Sequence, residues 1–268
     1  MEPEQISAYE KDGFVNLGVL FTREEMAAVR AALFCVLLAP PPGVAVIREE
    51  GSSAVRSVMG WERAGGILDK FSRDERVLGP VQAIFGDGVV LHQVKYNPKA
   101  GEGHGDKWDP HRGFTFWHFL DGVPRAEGMI SVFIALTDQT LENGAVQTWK
   151  GAHRLSLEQL REETDFSARQ GEEGDTATRL SLQMKEECIE LCDQQFERVY
   201  LTGQAGTVWL LDSLNLHASG SNEDDEDRDL VADVFRAISN KPLHPRKSEF
   251  LCGTSNEPLV SWKGPLLD

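Results

Sequence analysis

Two histidines, His111 and His217, have the most distinctive chemical potential in the chain. His111 opens the tripeptide His111-Arg112-Gly113, and His217 precedes Ala218 and Ser219. Two histidines and one carboxylate form a common ligand set for iron(II), with open positions left for a cosubstrate and dioxygen. A glycine, Gly113, stands here where the carboxylate is expected. The spacing therefore indicates an iron site that lacks one protein ligand.

A single arginine, Arg228, follows His217 by eleven residues, at the start of a predicted strand. A guanidinium can bind a carboxylate through two parallel hydrogen bonds. Most isolated histidines are surface or structural residues. The order His111, His217, Arg228 nevertheless favours a metal site with an adjacent anion-binding arginine.

Short strands must position these residues. From Val89 the sequence alternates between two faces, with Gln93, Lys95 and Asn97 on one of them. Further strands are predicted at 113–119, 129–136, 145–148, 207–211 and 230–237, separated by turn signals such as Asp121-Gly122. Many short strands after a helical N-terminal part predict a mainly β fold with flanking helices and a jelly-roll core, which is a double-stranded β-helix of the cupin-like type.

The length of 268 residues fits one domain, which we take as residues 1–268 with a helical N-terminal part at 1–88. Thr22 and Glu25 form a capping box that predicts a helix from Arg23. The charged segment 156–198 interrupts the strand pattern. It predicts a helical insert, which is either a solvated surface element or a lid over the mouth of the barrel.

The composition limits the partners. A formal charge of −16 disfavours nucleic acid polymers and anionic membranes, but it leaves room for a local basic pocket and a small-molecule substrate. The apolar runs are too short to span a bilayer, and the N-terminus lacks the pattern of a signal sequence. Four cysteines without a paired motif suggest reduced thiols and a cytoplasmic protein. The oligomeric state stays open.

Several motifs follow one another in a fixed order along most of the chain, at residues 9–14, 92–97, 116–118, 121–125, 143–145, 151–154, 217–219 and 228. In order and spacing they resemble the phytanoyl-CoA dioxygenase superfamily of iron(II)/2-oxoglutarate oxygenases, and within it the ectoine-hydroxylase-like branch. The resemblance implies a jelly-roll enzyme that uses iron(II), 2-oxoglutarate and O2.

The resemblance also implies roles by position. His111 and His217 match the iron ligands. Cosubstrate-binding positions are Arg228, which matches the arginine that binds the distal carboxylate of 2-oxoglutarate, Ser219 and Asn97. Substrate-pocket positions are Gln93 and Trp117. Phe114 and Arg246 are added as candidate substrate contacts from their residue types.

Gly113 departs from the pattern, because the family motif is His-x-Asp. The loss of the carboxylate opens one coordination position and removes one negative charge, so the site favours a small anion from solution. The same His-x-Gly change marks the iron/2-oxoglutarate halogenases. We therefore expect chloride beside Gly113 and chlorination of an unactivated C–H bond in a small polar biosynthetic intermediate, such as an amino acid or nucleotide of natural product biosynthesis.

Two alternatives stay open. In the first, the protein is a hydroxylase whose third ligand is water or another carboxylate, such as that of Asp109, two residues before His111. Pro110 makes a regular strand there less favourable. In the second, the fold is a non-catalytic binding module that has lost its metal.

Overall fold

Helices flank a β-rich core in the structure, a computed structural model that describes residues 1–49, 51–167, 182–246 and 250–267. The helices are α1 (Pro3–Asp12), α2 (Arg23–Leu38), α3 (Ile67–Ser72), α4 (Glu75–Phe85), α5 (Gly113–Asp121), α6 (Leu157–Glu163) and α7 (Glu186–Gln195). Short 3-10 turns lie at Trp61–Ala64 and Ala126–Gly128. None of the helices in these described ranges is long and apolar enough to cross a bilayer.

The strands pair antiparallel in two main sheets and one small two-stranded sheet. They are β1 (Phe14–Val19), β2 (Ala45–Arg48), β3 (Val55–Met59), β4 (Val89–Gln93), β5 (Lys95–Lys99), β6 (Trp108–Arg112), β7 (Met129–Ala135), β8 (Val146–Trp149), β9 (Thr164–Asp165), β10 (Gln183–Met184), β11 (Arg198–Tyr200), β12 (Thr207–Asp212), β13 (Leu216–Ser219) and β14 (Arg228–Ala237).

The major sheet has the strand order β1-β12-β7-β14-β5-β3-β2, with β4 paired to the far half of β14. The minor sheet has the order β11-β8-β13-β6, and β9 pairs with β10. Side chains of both sheets meet in one apolar cluster that includes Phe133, Val146 and Leu230. The predicted mainly β fold with flanking helices and a jelly-roll core is confirmed, since two antiparallel sheets face each other across this shared cluster and helices flank them.

Helix α2 shows how the helical layer is attached. The Thr22 hydroxyl accepts a hydrogen bond from the Glu25 backbone N–H at 3.2 Å, and the Glu25 carboxylate accepts one from the Thr22 N–H at 2.9 Å. Met26, Val29 and Leu33 recur on one face and are fully buried in the largest apolar cluster, which includes strands of the major sheet. Each such side chain contributes about 1.5–3 kcal/mol by leaving water.

The strand predicted at 113–119 is wrong, because these residues form α5. The segment is rich in aromatic residues, and a short apolar run that is buried on all sides gives the same pattern in either conformation. Gly122 ends the helix with a left-handed φ of 68°, and its N–H bonds the His118 carbonyl at 3.1 Å. The helical turn brings Trp117 onto the same face as Gly113.

The insert contains α6, the paired strands β9 and β10, and α7, while residues 168–181 lie outside the described part. Glu163 at the end of α6 accepts a hydrogen bond from Arg112 Nε at 2.8 Å, which ties the insert to β6. A role as a lid stays a prediction.

Candidate active site

A cavity of about 850 Å³, including its part open to solvent, lies between the two sheets. Its floor comes from alternate residues of β14, namely Arg228, Leu230, Ala232 and Val234, because successive side chains of a strand point to opposite faces. The minor sheet contributes His111 and His217.

His111 and His217 stand directly opposite each other in the pairing of β6 with β13. Their ring centroids are 4.2 Å apart, and the ring planes meet at 53°. Phe116 packs edge-on against His111, and Phe133 against His217. The structure therefore brings together two residues that are 106 positions apart, as the sequence predicts.

Both imidazoles are oriented for metal binding. Nδ1 of His111 lies 2.7 Å from the Asp109 carbonyl oxygen, and Nδ1 of His217 lies 3.2 Å from that of Asn215. A carbonyl can only accept, so each Nδ1 carries the proton and each Nε2 offers its lone pair to the cavity. This arrangement is typical of histidine ligands, whose second nitrogen is held by a hydrogen bond.

The same rings are held in the neutral form. Burial lowers the pKa of His217 to about 4, and burial together with the neighbouring His217 lowers the pKa of His111 well below its usual range. Neutral imidazole is the form that binds a divalent cation. The donor set fits iron(II).

Gly113 lines the cavity next to this pair, at the first residue of α5. A Cβ at this position would lie 2.7 Å from Cη2 of Trp117, which is closer than real side chains approach. Trp117 is itself buried, with 3% of its surface exposed. Its indole ring therefore occupies the space directly beside the Gly113 backbone, and a carboxylate at 113 would require this ring to move.

Asp109 does not supply the missing carboxylate in this arrangement. Its Oδ1 lies 2.9 Å from Nζ of Lys107, and 35% of its side chain is exposed. Only its backbone carbonyl faces His111. The lining residues of the cavity, all of them in the described part of the chain, include neither aspartate nor glutamate.

Arg228 lies at the other end of the cavity and is almost completely buried, with 1% exposed. Its Nη1 donates to Gln139 Oε1 across a long 3.4 Å, and its Nε has no hydrogen-bond partner among the residues that the structure describes. The adjacent Asp229 is already bound by Tyr96 and Arg30. Burial lowers the pKa of Arg228 to about 10, although Asp229 opposes the shift. A buried guanidinium in this state is suited to bind an anion.

Lys99 lies directly opposite Arg228 in the pairing of β5 with β14. Its ammonium donates to Ser219 Oγ at 2.8 Å and to the Gly220 carbonyl. Burial, together with the charge of Arg228, lowers the pKa of Lys99 to about 6. Asn97 lines the cavity on the same face and accepts a hydrogen bond from Ser57 Oγ at 2.6 Å. Arg228, Ser219 and Asn97 therefore line one cavity, and Lys99 binds Ser219 beside it.

The proposed substrate contacts divide into two groups. Gln93, Trp117 and Arg246 line the cavity, and Gln93 is fixed by donating to the Leu251 carbonyl at 3.2 Å. Phe114 lies elsewhere: it is fully buried in the core, outside the cavity lining, and stacks on His118. Phe116 takes its place on the cavity wall.

Sequence reasoning missed two lysines, Lys95 and Lys99. Both belong to the strand face that carries Gln93 and Asn97, so the two-residue period already contained the signal. Lysine is normally a surface residue, and the alternation alone does not show which face of a strand is buried.

A second group of metal-ligand types lies behind the cavity. Ligand atoms of His92, Asp121 and Cys252 are within 4.8 Å of one another, and all three residues are buried. Both oxygens of Asp121 accept from Arg246. Burial, together with the charges of Arg236 and Arg246, lowers the pKa of His92 well below its usual range. These cations disfavour a bound metal ion at this second position.

Known proteins resemble this chain in both sequence and architecture. The profile of the phytanoyl-CoA dioxygenase (PhyH) family matches residues 9–230. An ectoine dioxygenase of Streptomyces anulatus is 31% identical over 263 residues, which cover 92% of this chain and 84% of that protein. An L-proline trans-4-hydroxylase of Streptomyces griseoviridis is 26% identical over 258 residues, covering 94% of this chain and 92% of the relative.

The crystal structure of EctD from S. alaskensis with 2-oxoglutarate and 5-hydroxyectoine superposes with a TM-score of 0.82. The two chains are 25% identical, and the superposition covers 100% of this chain and 89% of EctD.

Proposed function

The chain belongs to the phytanoyl-CoA dioxygenase family, and we propose that this iron(II)/2-oxoglutarate oxygenase halogenates an unactivated C–H bond of a small polar metabolite. One observation carries the proposal. The cavity holds an oriented pair of histidines, yet its lining, as far as the chain is described, contains no carboxylate that could act as the third ligand.

Different residues of the chain bind the metal and the cosubstrate. His111 and His217 hold iron(II) through their Nε2 atoms, and Arg228, with Lys99 and Ser219, binds the distal carboxylate of 2-oxoglutarate. Bound iron(II), with 2-oxoglutarate and O2, supplies the oxidising power to break a C–H bond. The full reaction converts the substrate C–H, chloride, a proton, 2-oxoglutarate and O2 into C–Cl, succinate, carbon dioxide and water.

Charge is the physical reason to expect a halide. Two neutral imidazoles leave the charge of a divalent cation uncompensated, and Lys95 lies close enough to lower the pKa of both histidines further. A protein aspartate would normally offset this charge. In its absence, a monoanion from solution is electrostatically favoured at the open position.

Hydroxylation is the second candidate, and the relatives favour it over halogenation. Those named above are dioxygenases and a hydroxylase, and EctD was crystallised with a hydroxylated product. Because Asp109 is paired with Lys107, this alternative would place water at the third position. The ordered imidazoles and the uncompensated Arg228 argue against a binding module without catalysis.

Product analysis separates the two reactions. Candidate amino acids and nucleotides are incubated with the iron-loaded enzyme in chloride or in bromide, and products are identified by mass spectrometry. We expect a product whose isotope pattern follows the halide. A product that gains only oxygen, whichever halide is present, would establish the hydroxylase instead.

Substitution at residue 113 tests the missing ligand. Gly113→Asp is expected to abolish halogenation because its carboxylate takes the open position. Gly113→Ala is the matched control, since its Cβ makes the same 2.7 Å approach to Trp117 without adding a ligand. Thermal unfolding of both variants measures the cost of moving that ring. Loss of halogenation in the alanine variant but not in the aspartate variant would contradict the proposal that halogenation requires a missing carboxylate at residue 113.

A further inference from the structure

Lys95 is a cation in the cavity that neither the metal ligands nor the distal carboxylate of 2-oxoglutarate accounts for. It lines the cavity from the first position of β5. Its backbone N–H donates to Asp233 Oδ1 at 3.3 Å. For its ammonium, the structure records neither a hydrogen bond nor an ion pair within the residues that it describes.

Beyond hydrogen-bond distance, too, no carboxylate of the described residues offsets the positive charge of Lys95. Burial lowers its pKa to about 8, the charge of Arg246 adds to the shift, and no carboxylate in the described part of the chain opposes it. Arg246 differs in this respect: its Nε and Nη2 each bind Asp121 at 2.8 Å. Of these two cations, Lys95 is therefore the one whose charge lacks a carboxylate partner.

Lys95 is separate from the end of the cavity that binds the distal carboxylate. That end is marked by the pairing of Arg228 with Lys99. Lys95 lies four residues before Lys99, which is roughly 13 Å along an extended strand. Between the two, Asn97 faces the same cavity. A carboxylate held by Arg228 and Lys99 therefore lies at a different position from Lys95.

The walls near Lys95 are suited to the body of an organic molecule. Trp117, Phe116 and Val234 present apolar surface, and Gln93 offers its side-chain carbonyl because its amide donates to Leu251. The combination of Lys95, a cation without a carboxylate partner among the described residues, with aromatic walls fits a molecule that has a single anionic end and a ring or short aliphatic body.

We propose that Lys95 binds an anionic group of the primary substrate, either a carboxylate or a phosphate monoester. This inference rests on the proposed function only in taking the cavity as the active site, and it holds whether the product is chlorinated or hydroxylated. The ammonium would fix the distance between the anionic group and the histidine pair, and so select the carbon that reacts.

Matched substrate pairs test the proposal in the iron-loaded enzyme. Each pair differs only in the anionic group: a nucleoside and its 5′-monophosphate, or an amino acid and its amide. Succinate release measures turnover whatever the product. We expect stimulation by the anionic member of one pair, with a KM at least about 30-fold lower than that of its neutral partner. The responding pair distinguishes phosphate from carboxylate.

Variants assign the effect to Lys95. Lys95→Met should raise the KM of the anionic substrate about 30-fold or more with a smaller change in kcat, and Lys95→Arg should retain most of the affinity. Lys263→Met removes the same charge from an exposed position and is the matched control. Calorimetry with methyl phosphate and acetate, on protein loaded with nickel(II) and 2-oxoglutarate, measures binding without turnover.

Two outcomes would overturn the proposal. One is equal stimulation by the neutral and the anionic members of every pair. The other is that Lys95→Met weakens the binding of 2-oxoglutarate or the dependence on halide while the KM of the substrate is unchanged. Absence of succinate with every substrate would instead count against the proposed oxygenase function, and calorimetry would still report on Lys95.

Discussion

Replacement of Arg228 by methionine should stabilise the ligand-free protein while it destroys cosubstrate binding. The two effects have one cause. Arg228 is 1% exposed, its Nε has no hydrogen-bond partner within the described ranges, and Asp229 beside it is held by Tyr96 and Arg30. A charge buried in this way costs stability until an anion arrives. Methionine keeps a similar length of apolar chain without the charge.

The magnitude follows from the pKa of Arg228. A value lowered to about 10 corresponds to roughly 3 kcal/mol against the charged form, at about 1.4 kcal/mol per pH unit below the ordinary value of arginine. The folded state disfavours the protonated form at every pH below about 10, so this destabilisation is present at neutral pH and is lost only above that value. Removing the charge should raise the melting temperature by several degrees, since about 1 kcal/mol corresponds to about 2–4 °C in proteins of this size.

Thermal unfolding with and without 2-oxoglutarate measures both effects. At a concentration of 100 times its Kd, the cosubstrate stabilises the wild type by about 2.7 kcal/mol. We expect this shift to vanish in Arg228→Met. Arg246→Met is the control with the opposite sign, because it leaves the fully buried Asp121 without its guanidinium partner and should cost about 3–5 kcal/mol. Two results would contradict this prediction. One is a melting temperature of Arg228→Met as low as that of Arg246→Met, and the other is an Arg228→Met protein that 2-oxoglutarate stabilises as much as the wild type.

Two further predictions address the remaining groups of the site. Asp109→Asn should leave the iron(II) affinity within about twofold, because its carboxylate is paired with Lys107 rather than directed at the histidines; a tenfold loss, with no loss in Lys107→Met, would make Asp109 a ligand. Lys99, with a pKa lowered to about 6 by burial and Arg228, is mostly neutral at pH 7.5, and a bound carboxylate should raise that pKa. Binding of 2-oxoglutarate should therefore take up a proton and weaken as pH rises above about 6. Calorimetry in buffers of different ionisation enthalpy checks this, and proton uptake that persists in Lys99→Met would rule out Lys99 as the acceptor.

Local patterns were sufficient for the elements whose signal depends only on neighbours in the chain. The capping box of Thr22 and Glu25 begins a helix as predicted, and the strand periods place β7, β12 and β14 within two residues. The same kind of pattern gave a wrong prediction for residues 113–119, which form a helix. Their aromatic content satisfies both a buried strand and a buried helix, and only the packing around α5 decides between them.

The sequence by itself predicted the family, the jelly-roll and four residues that line the cavity, because these depend on residue types and their order. The four are His111, Gly113, His217 and Arg228. Only the tertiary structure decided which groups share the cavity. It places Lys95 in the cavity wall, buries Lys99 beside Ser219, turns the Asp109 carboxylate away, and packs Trp117 against Gly113. The physical reason is that burial and charge compensation are properties of side chains brought together from distant strands, and spacing along one chain does not specify which of them meet a partner.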